Sequence, residues 1–116
     1  MARWIPALLV AGCIVFLSSL TPGQLPGPDL ALGWDKVAHA LAYAILAASA
    51  RFATPRSGLI FVAVTIFGCC DELHQAFTPG RDPSMWDLVA DVVGAAAALL
   101  VWRVVPLSEK PRTRVT

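Results

Sequence analysis

The sequence predicts an all-α integral membrane protein, a bundle of four transmembrane helices, and three observations carry that prediction. Of its 116 residues, 57% are apolar and only 15% are charged, whereas water-soluble domains run near 45 to 50% apolar and about 25% charged. A chain this short buries only about two-thirds of the surface its unfolded form exposes, so the remaining apolar surface calls for a non-aqueous solvent. The apolar residues also fall into four runs, separated by segments rich in proline, glycine and charge. Strands fit poorly, because the runs lack the alternation of a barrel and an isolated strand cannot satisfy its backbone in lipid. One membrane domain, residues 1–116, is the natural division.

The first helix is expected at about residues 4–20, behind the single basic residue Arg3. A secretory signal begins the same way, but it ends in small residues at a cleavage site. Here the run ends Phe16-Leu17-Ser18-Ser19-Leu20-Thr21-Pro22, which favours an uncleaved anchor. Thr21 to Gly33 holds three prolines and three glycines and reads as a loop. The second helix is expected at 35–52 and gives way to a short basic turn, Arg51 to Arg56 with Pro55. The third, 57–77, is apolar to Cys70 apart from Ser57 and Thr65, then runs without a break signal through Asp71-Glu72-Leu73-His74-Gln75 until Thr78-Pro79-Gly80. The fourth, 87–105, carries Asp87, Asp91 and Gly94 and stops before Pro106. Residues 106–116 form a polar tail expected to be disordered.

Charge placement predicts the orientation. Arg3, Arg51, Arg56, Arg103, Lys110, Arg112 and Arg114 lie on one side of the expected spans, against Lys36 and Arg81 on the other. The positive-inside rule puts both termini in the cytoplasm. Seven of the eight acids, Asp29, Asp35, Asp71, Glu72, Asp82, Asp87 and Asp91, fall on the outer side. Acids count little in that rule, so their segregation needs another cause. The net charge of +1 and the scattered basic residues exclude a nucleic-acid stripe. Cys13, Cys69 and Cys70 lie in apolar runs and suit neither a disulfide framework nor a zinc site.

Length then presses the acids toward the membrane. The uncharged part of the third run, Ser57 to Cys70, covers about 21 Å at 1.5 Å per residue, short of the ~30 Å hydrocarbon core. Asp71 and Glu72 must therefore approach or enter the outer leaflet, and His39 and Asp91 follow on their own helices. A charge at such depth costs roughly 2.5 to 3.5 kcal/mol on insertion scales, so these groups are expected to face inward and pair with one another. Helical spacing gathers Asp35, His39 and Tyr43 on one face, Asp71 and Glu72 with Gln75 on another, and Asp87 with Asp91 on a third. With Arg81 these form the candidate functional cluster. Gly68, Gly94 and Ala98, with Ala38, Ala42, Ala95 and Ala97, are expected to let helices approach closely. Trp4, Trp34, Trp86 and Trp102 sit near span ends as an interfacial belt, and Lys36 and Asp82 read as solvated.

The segments Asp35-Lys36-Val37-Ala38-His39-Ala40-Leu41-Ala42-Tyr43, Asp71-Glu72-Leu73-His74-Gln75 with Pro79-Gly80-Arg81, and Asp87-Leu88-Val89-Ala90-Asp91-Val92-Val93-Gly94 resemble the VanZ-like membrane proteins. Three motifs recur in order and at matching intervals, over about residues 35–100, with the first helix similar only in kind. The family commonly has Asn where this chain has Asp91. An amide donates and an ionised carboxylate cannot, so either the local hydrogen bonding differs or Asp91 holds a proton. The resemblance implies a multi-helix protein of the bacterial cell membrane and, through the family's namesake, an association with low-level resistance to the glycopeptide teicoplanin. It implies no known reaction.

Three readings of the cluster follow. It binds an envelope precursor or lipid headgroup, with Arg81 as a phosphate or carboxylate fork. Alternatively it is a membrane-embedded enzyme site in which Glu72 acts as general base beside His39, with or without a divalent metal held by Asp, Glu and His. In the third reading it is a structural plug that fixes helix packing, with Arg81 on Asp87 or Glu72, His39 on Asp35 or Asp91, and Gln75 on a loop carbonyl. Because no nucleophile elbow, H-E-x-x-H pattern or phosphate loop is present, no cofactor or resident metal is expected. A transporter is disfavoured, since all the charge lies at one end and no inverted repeat is visible. The expected partners are membrane lipids and a headgroup or cell-wall precursor.

Overall fold

The computed structural model describes residues 2–20, 34–80 and 84–104, without the side chains of Trp34 and Asp35. A 3-10 turn, Ala2–Trp4, leads into α1 (Ile5–Ser18), followed by α2 (Trp34–Ala53), α3 (Ser57–Gln75) and α4 (Met85–Val104). The helix ends differ from the sequence expectation by at most two residues, and no strand occurs among the described residues. The expected loop 21–33, Arg81, Asp82 and the 106–116 tail lie outside the described residues.

Local chemistry explains most of the boundaries. Pro6 sits in the first turn of α1, where its missing N–H would have had no helical partner. At the other end Ser19 Oγ donates to the Val15 carbonyl at 2.8 Å. Beyond α3 the chain turns through backbone bonds from Ala76, Phe77 and Thr78 to carbonyls of the last turn. Pro79 and Gly80 then end it, Gly80 having the positive φ of 78° that favours glycine. Ser84 caps α4 by accepting the Asp87 N–H at 3.3 Å.

α2 is the central element: it packs on all three other helices and most extensively on α4, while α1 and α4 do not meet among the described residues. The helices alternate in direction. At one end Arg3 of the N-terminal turn lies 5.5 Å from the Phe52 ring of α2, and Arg51 of α2 lies 5.6 Å from the Trp102 ring of α4. At the other end the start of α2 meets the end of α3 and the start of α4. Basic residues therefore collect at one end of the helices and acids at the other.

Each helix buries one stripe. On α4 the buried residues are Asp87, Asp91, Gly94, Ala95 and Leu99, and on α3 they are Ile60, Val64, Gly68, Asp71 and Gln75. Both sets recur at three and four residues, one face of an α-helix. Tyr43, Leu46, Ala47 and Ala50 are the matching stripe of α2. The outward faces are apolar instead: Leu8, Leu41, Ile45, Leu59, Ile66 and Leu100 are all more than half exposed. This reverses the usual soluble pattern, in which large exposed apolar surface is rare.

α3 and α4 are long and apolar enough to cross a membrane, and only 22% and 28% of their apolar windows are buried, whereas the core helix of a soluble protein is mostly buried. α1 is shorter, and α2 carries Asp35, Lys36 and Arg51 in its twenty residues. Of the residues expected to line close helix contacts, Gly68, Gly94 and Ala95 are buried, and Ala42 and Ala98 partly so. Ala38 and Ala97 are exposed, a correction that follows from rotation: Ala38 precedes the partly buried His39 by one residue, and Ala97 lies two residues from both Ala95 and Leu99, so each faces outward. The tightest approach is at Gly94, where an added Cβ would come within 2.8 Å of the Ala40 Cα on α2. That neighbour is backbone and has no rotamer to yield. Gly94→Ala is expected to destabilise the fold by about 1–3 kcal/mol, read as thermal or denaturant unfolding in detergent. Gly12→Ala, with open space around it, serves as the neutral control.

Candidate functional site

Three helices bring the acids together. α2 supplies Lys36, His39 and Tyr43 from its first turns, α3 supplies Asp71, Glu72 and Gln75 from its last turns, and α4 supplies Asp87 and Asp91 from its first two. Gly68 leaves room for them to converge. A Cβ there would lie 3.4 Å from Asp91 Oδ2, Leu88 Cδ1 and Tyr43 Cε1 alike.

Two polar clamps join the helices. On the α2–α4 side His39 Nδ1 lies 2.8 Å from Asp91 Oδ1, with Asp91 1% exposed and His39 15%. An ionised Asp91 accepts from an Nδ1–H, which leaves His39 Nε2 with its lone pair. One turn earlier on both helices, Lys36 forms an ion pair with Asp87. On the α2–α3 side the Tyr43 hydroxyl donates to Asp71 Oδ2 at 3.3 Å, and Gln75 Nε2 lies 3.5 Å from the same oxygen. Gln75 Nε2 also donates to Ser18 Oγ at 3.2 Å, and Thr78 Oγ1 donates to the Ser18 carbonyl at 3.3 Å, which ties α1 to the end of α3. Ser19 Oγ and His74 Nε2, 3.0 Å apart, reinforce that tie at the surface.

Between the clamps the carboxylates are in excess. Asp71 Oδ1, both oxygens of Glu72 and Asp91 Oδ2 are buried without a hydrogen-bond partner among the described residues. Native structures leave few such groups, because an unmet buried acceptor costs about 1–3 kcal/mol and a charged one more. One ligating atom each from His39, Glu72 and Asp87 lie within 4.8 Å of one another. The arrangement can accept hydrogen bonds or hold positive charge. Within the described part it offers little to an anion.

Comparison with known proteins supplies one match. The VanZ/LLP1 family matches residues 4–106, most of the chain, and the protein belongs to that family. The match takes in α1, beyond the 35–100 stretch on which the sequence motifs rest. No curated protein and no solved structure gives a significant match. Family and membrane-length apolar helices together mark the chain as a membrane protein.

Of the nine residues expected in the cluster, His39, Tyr43, Asp71, Glu72, Gln75, Asp87 and Asp91 come together. The Asp35 side chain and Arg81 lie outside the described residues. Lys36 is a correction: expected to be solvated, it is half-buried and paired with Asp87, because one turn of helix separates it from His39 on the face that meets α4. Gln75 reaches Ser18 rather than a loop carbonyl. Ser18, Ser19 and Thr78 were not expected at all. The adjacent serines are a polar break in an apolar run, but nothing in their spacing names a partner on α3.

Tyr43 is 1% exposed, and its ring packs 6.0 Å from that of Phe67. Tyr43→Phe keeps the ring and removes only the hydroxyl to Asp71. The expected loss is about 0.5–1.5 kcal/mol of unfolding free energy, measured in detergent against wild type.

Proposed function

We propose that this VanZ/LLP1 protein is a four-pass protein of the bacterial cell membrane, with both termini cytoplasmic, whose outer-leaflet polar site binds an envelope precursor or lipid headgroup. The observation that carries this reading is the set of unpartnered carboxylate oxygens on Asp71, Glu72 and Asp91. A plug whose purpose is to fix helix packing gains from satisfying every buried acceptor, and this cluster leaves four unmet. A ligand bearing amine, amide or hydroxyl groups supplies the missing donors. Arg81, just past the end of α3, supplies the fork for a phosphate or carboxylate on the same ligand. The basic end carrying Arg3, Arg51, Arg56 and Arg103 supports that orientation. Ionisable groups inside membrane helices are by default functional.

A catalytic reading draws on the His39–Asp91 contact, since a carboxylate that orients an imidazole is a common element of acid–base chemistry. In that reading His39 or Glu72 moves the proton and Asp91 only positions the ring.

The binding reading is tested by purifying wild type, Arg81→Ala and Glu72→Ala from cells at matched abundance and identifying copurified molecules by mass spectrometry, with glycopeptide susceptibility of the same strains alongside. A lipid or cell-wall precursor retained by wild type and lost from both variants is expected, together with increased susceptibility. Identical copurification and identical susceptibility in all three contradict the reading.

A further inference from the structure

The cluster contains a chemistry that the headgroup reading does not use. We infer that His39, Glu72 and Asp87 form a site for one divalent transition-metal ion. Their ligating atoms, one from each of α2, α3 and α4, lie within 4.8 Å of one another, close enough for small side-chain shifts to bring them to the metal–ligand distances of about 2.0–2.2 Å that one shared ion needs. One imidazole with two carboxylates suits zinc or manganese, whereas magnesium and calcium prefer oxygen alone.

Two further features point to a cation rather than to a mere group of acids. The first is the orientation of His39. Metal-bound histidines almost always give their other ring nitrogen to a carboxylate or carbonyl, which fixes the tautomer and aims the ligating nitrogen. Asp91 Oδ1 stands 2.8 Å from His39 Nδ1 and Asp91 is 1% exposed, which leaves Nε2 as the nitrogen available to an ion. The second is the unmet charge. Both oxygens of Glu72 are buried and unpartnered, and so is the second oxygen of Asp91, a side chain well over nine-tenths buried within the same cluster.

The site has three protein ligands, the number found where a metal keeps an open position for water or another ligand. Asp91 then has a stated role as the positioning partner of His39. An ionised carboxylate is a stronger acceptor for Nδ1–H than a neutral amide would be.

The test uses full-length protein in detergent, stripped with chelator and titrated with zinc or cobalt alone. One ion per chain is expected, with cobalt giving visible bands of nitrogen and oxygen ligation. Glu72→Gln should abolish the bands, and Asp91→Asn, which keeps all three ligands, should weaken binding about 10- to 100-fold. The rival site is the exposed pair Cys69 and Cys70. A variant with Cys13, Cys69 and Cys70 all changed to Ser should bind as wild type does. Binding lost with the cysteines, or cobalt bands of thiolate character, overturns the site, as does no binding by folded wild type, or unchanged binding by a Glu72→Gln variant whose helicity and elution match wild type. Because the probe is the metal alone, a failed titration leaves the headgroup reading standing, and a failed copurification leaves this one standing.

Discussion

The close approach of α2 and α4 is the constraint on which the other contacts depend. Gly94 lies against the backbone of Ala40, and this contact sets both the distance and the register of the two helices. His39 is the neighbour of Ala40 in sequence, and Asp91 is three residues before Gly94, so a seam that is tight at Gly94 places the imidazole and the carboxylate opposite each other one turn away. Lys36 and Asp87 meet one further turn along the same seam. α3 then packs across it through Gly68, whose missing side chain leaves space for Asp91 and Tyr43. The cluster is thus a product of two glycines as much as of its acids.

The distribution of polarity follows from the same packing. Outward faces are apolar along their length, and the buried stripes carry Asp71, Gln75, Asp87 and Asp91 in their last or first turns. In water this would be a poor exchange. In lipid the outward faces cost nothing, and the charged groups must face one another because the alternative is hydrocarbon. The deeper half of the core is apolar, built on Leu46, Ala47, Ile60, Val64 and Leu99. Among the described residues the buried polar groups therefore gather at one end, opposite Arg3 and Arg51.

Much of this is legible in the sequence, for physical reasons. Helix existence follows from run length and from proline and glycine punctuation, and helical spacing correctly groups Asp87 with Asp91 and Asp71 with Gln75. What spacing cannot give is the rotation of one helix against another. Ala38 and Ala97 look as suitable for packing as Ala95 and differ from it only by the direction they face. Lys36 looks solvated until α4 is set beside it. Ser18 bonds to a residue 57 positions away, and nothing local marks that pairing. His39, Glu72 and an Asp are grouped by the sequence reading, but which Asp stands with them is not legible for the same reason: each comes from a different helix, so no ligand spacing exists to read.

The claim that the α2–α4 seam pairs His39 with Asp91 is tested most directly by a double-mutant cycle. Unfolding free energies of wild type, His39→Ala, Asp91→Ala and the double variant are measured in one detergent. A coupling energy of about 0.5–3 kcal/mol is predicted, the range for residues in contact. Additivity to within about 0.3–0.5 kcal/mol, the behaviour of independent sites, would contradict it.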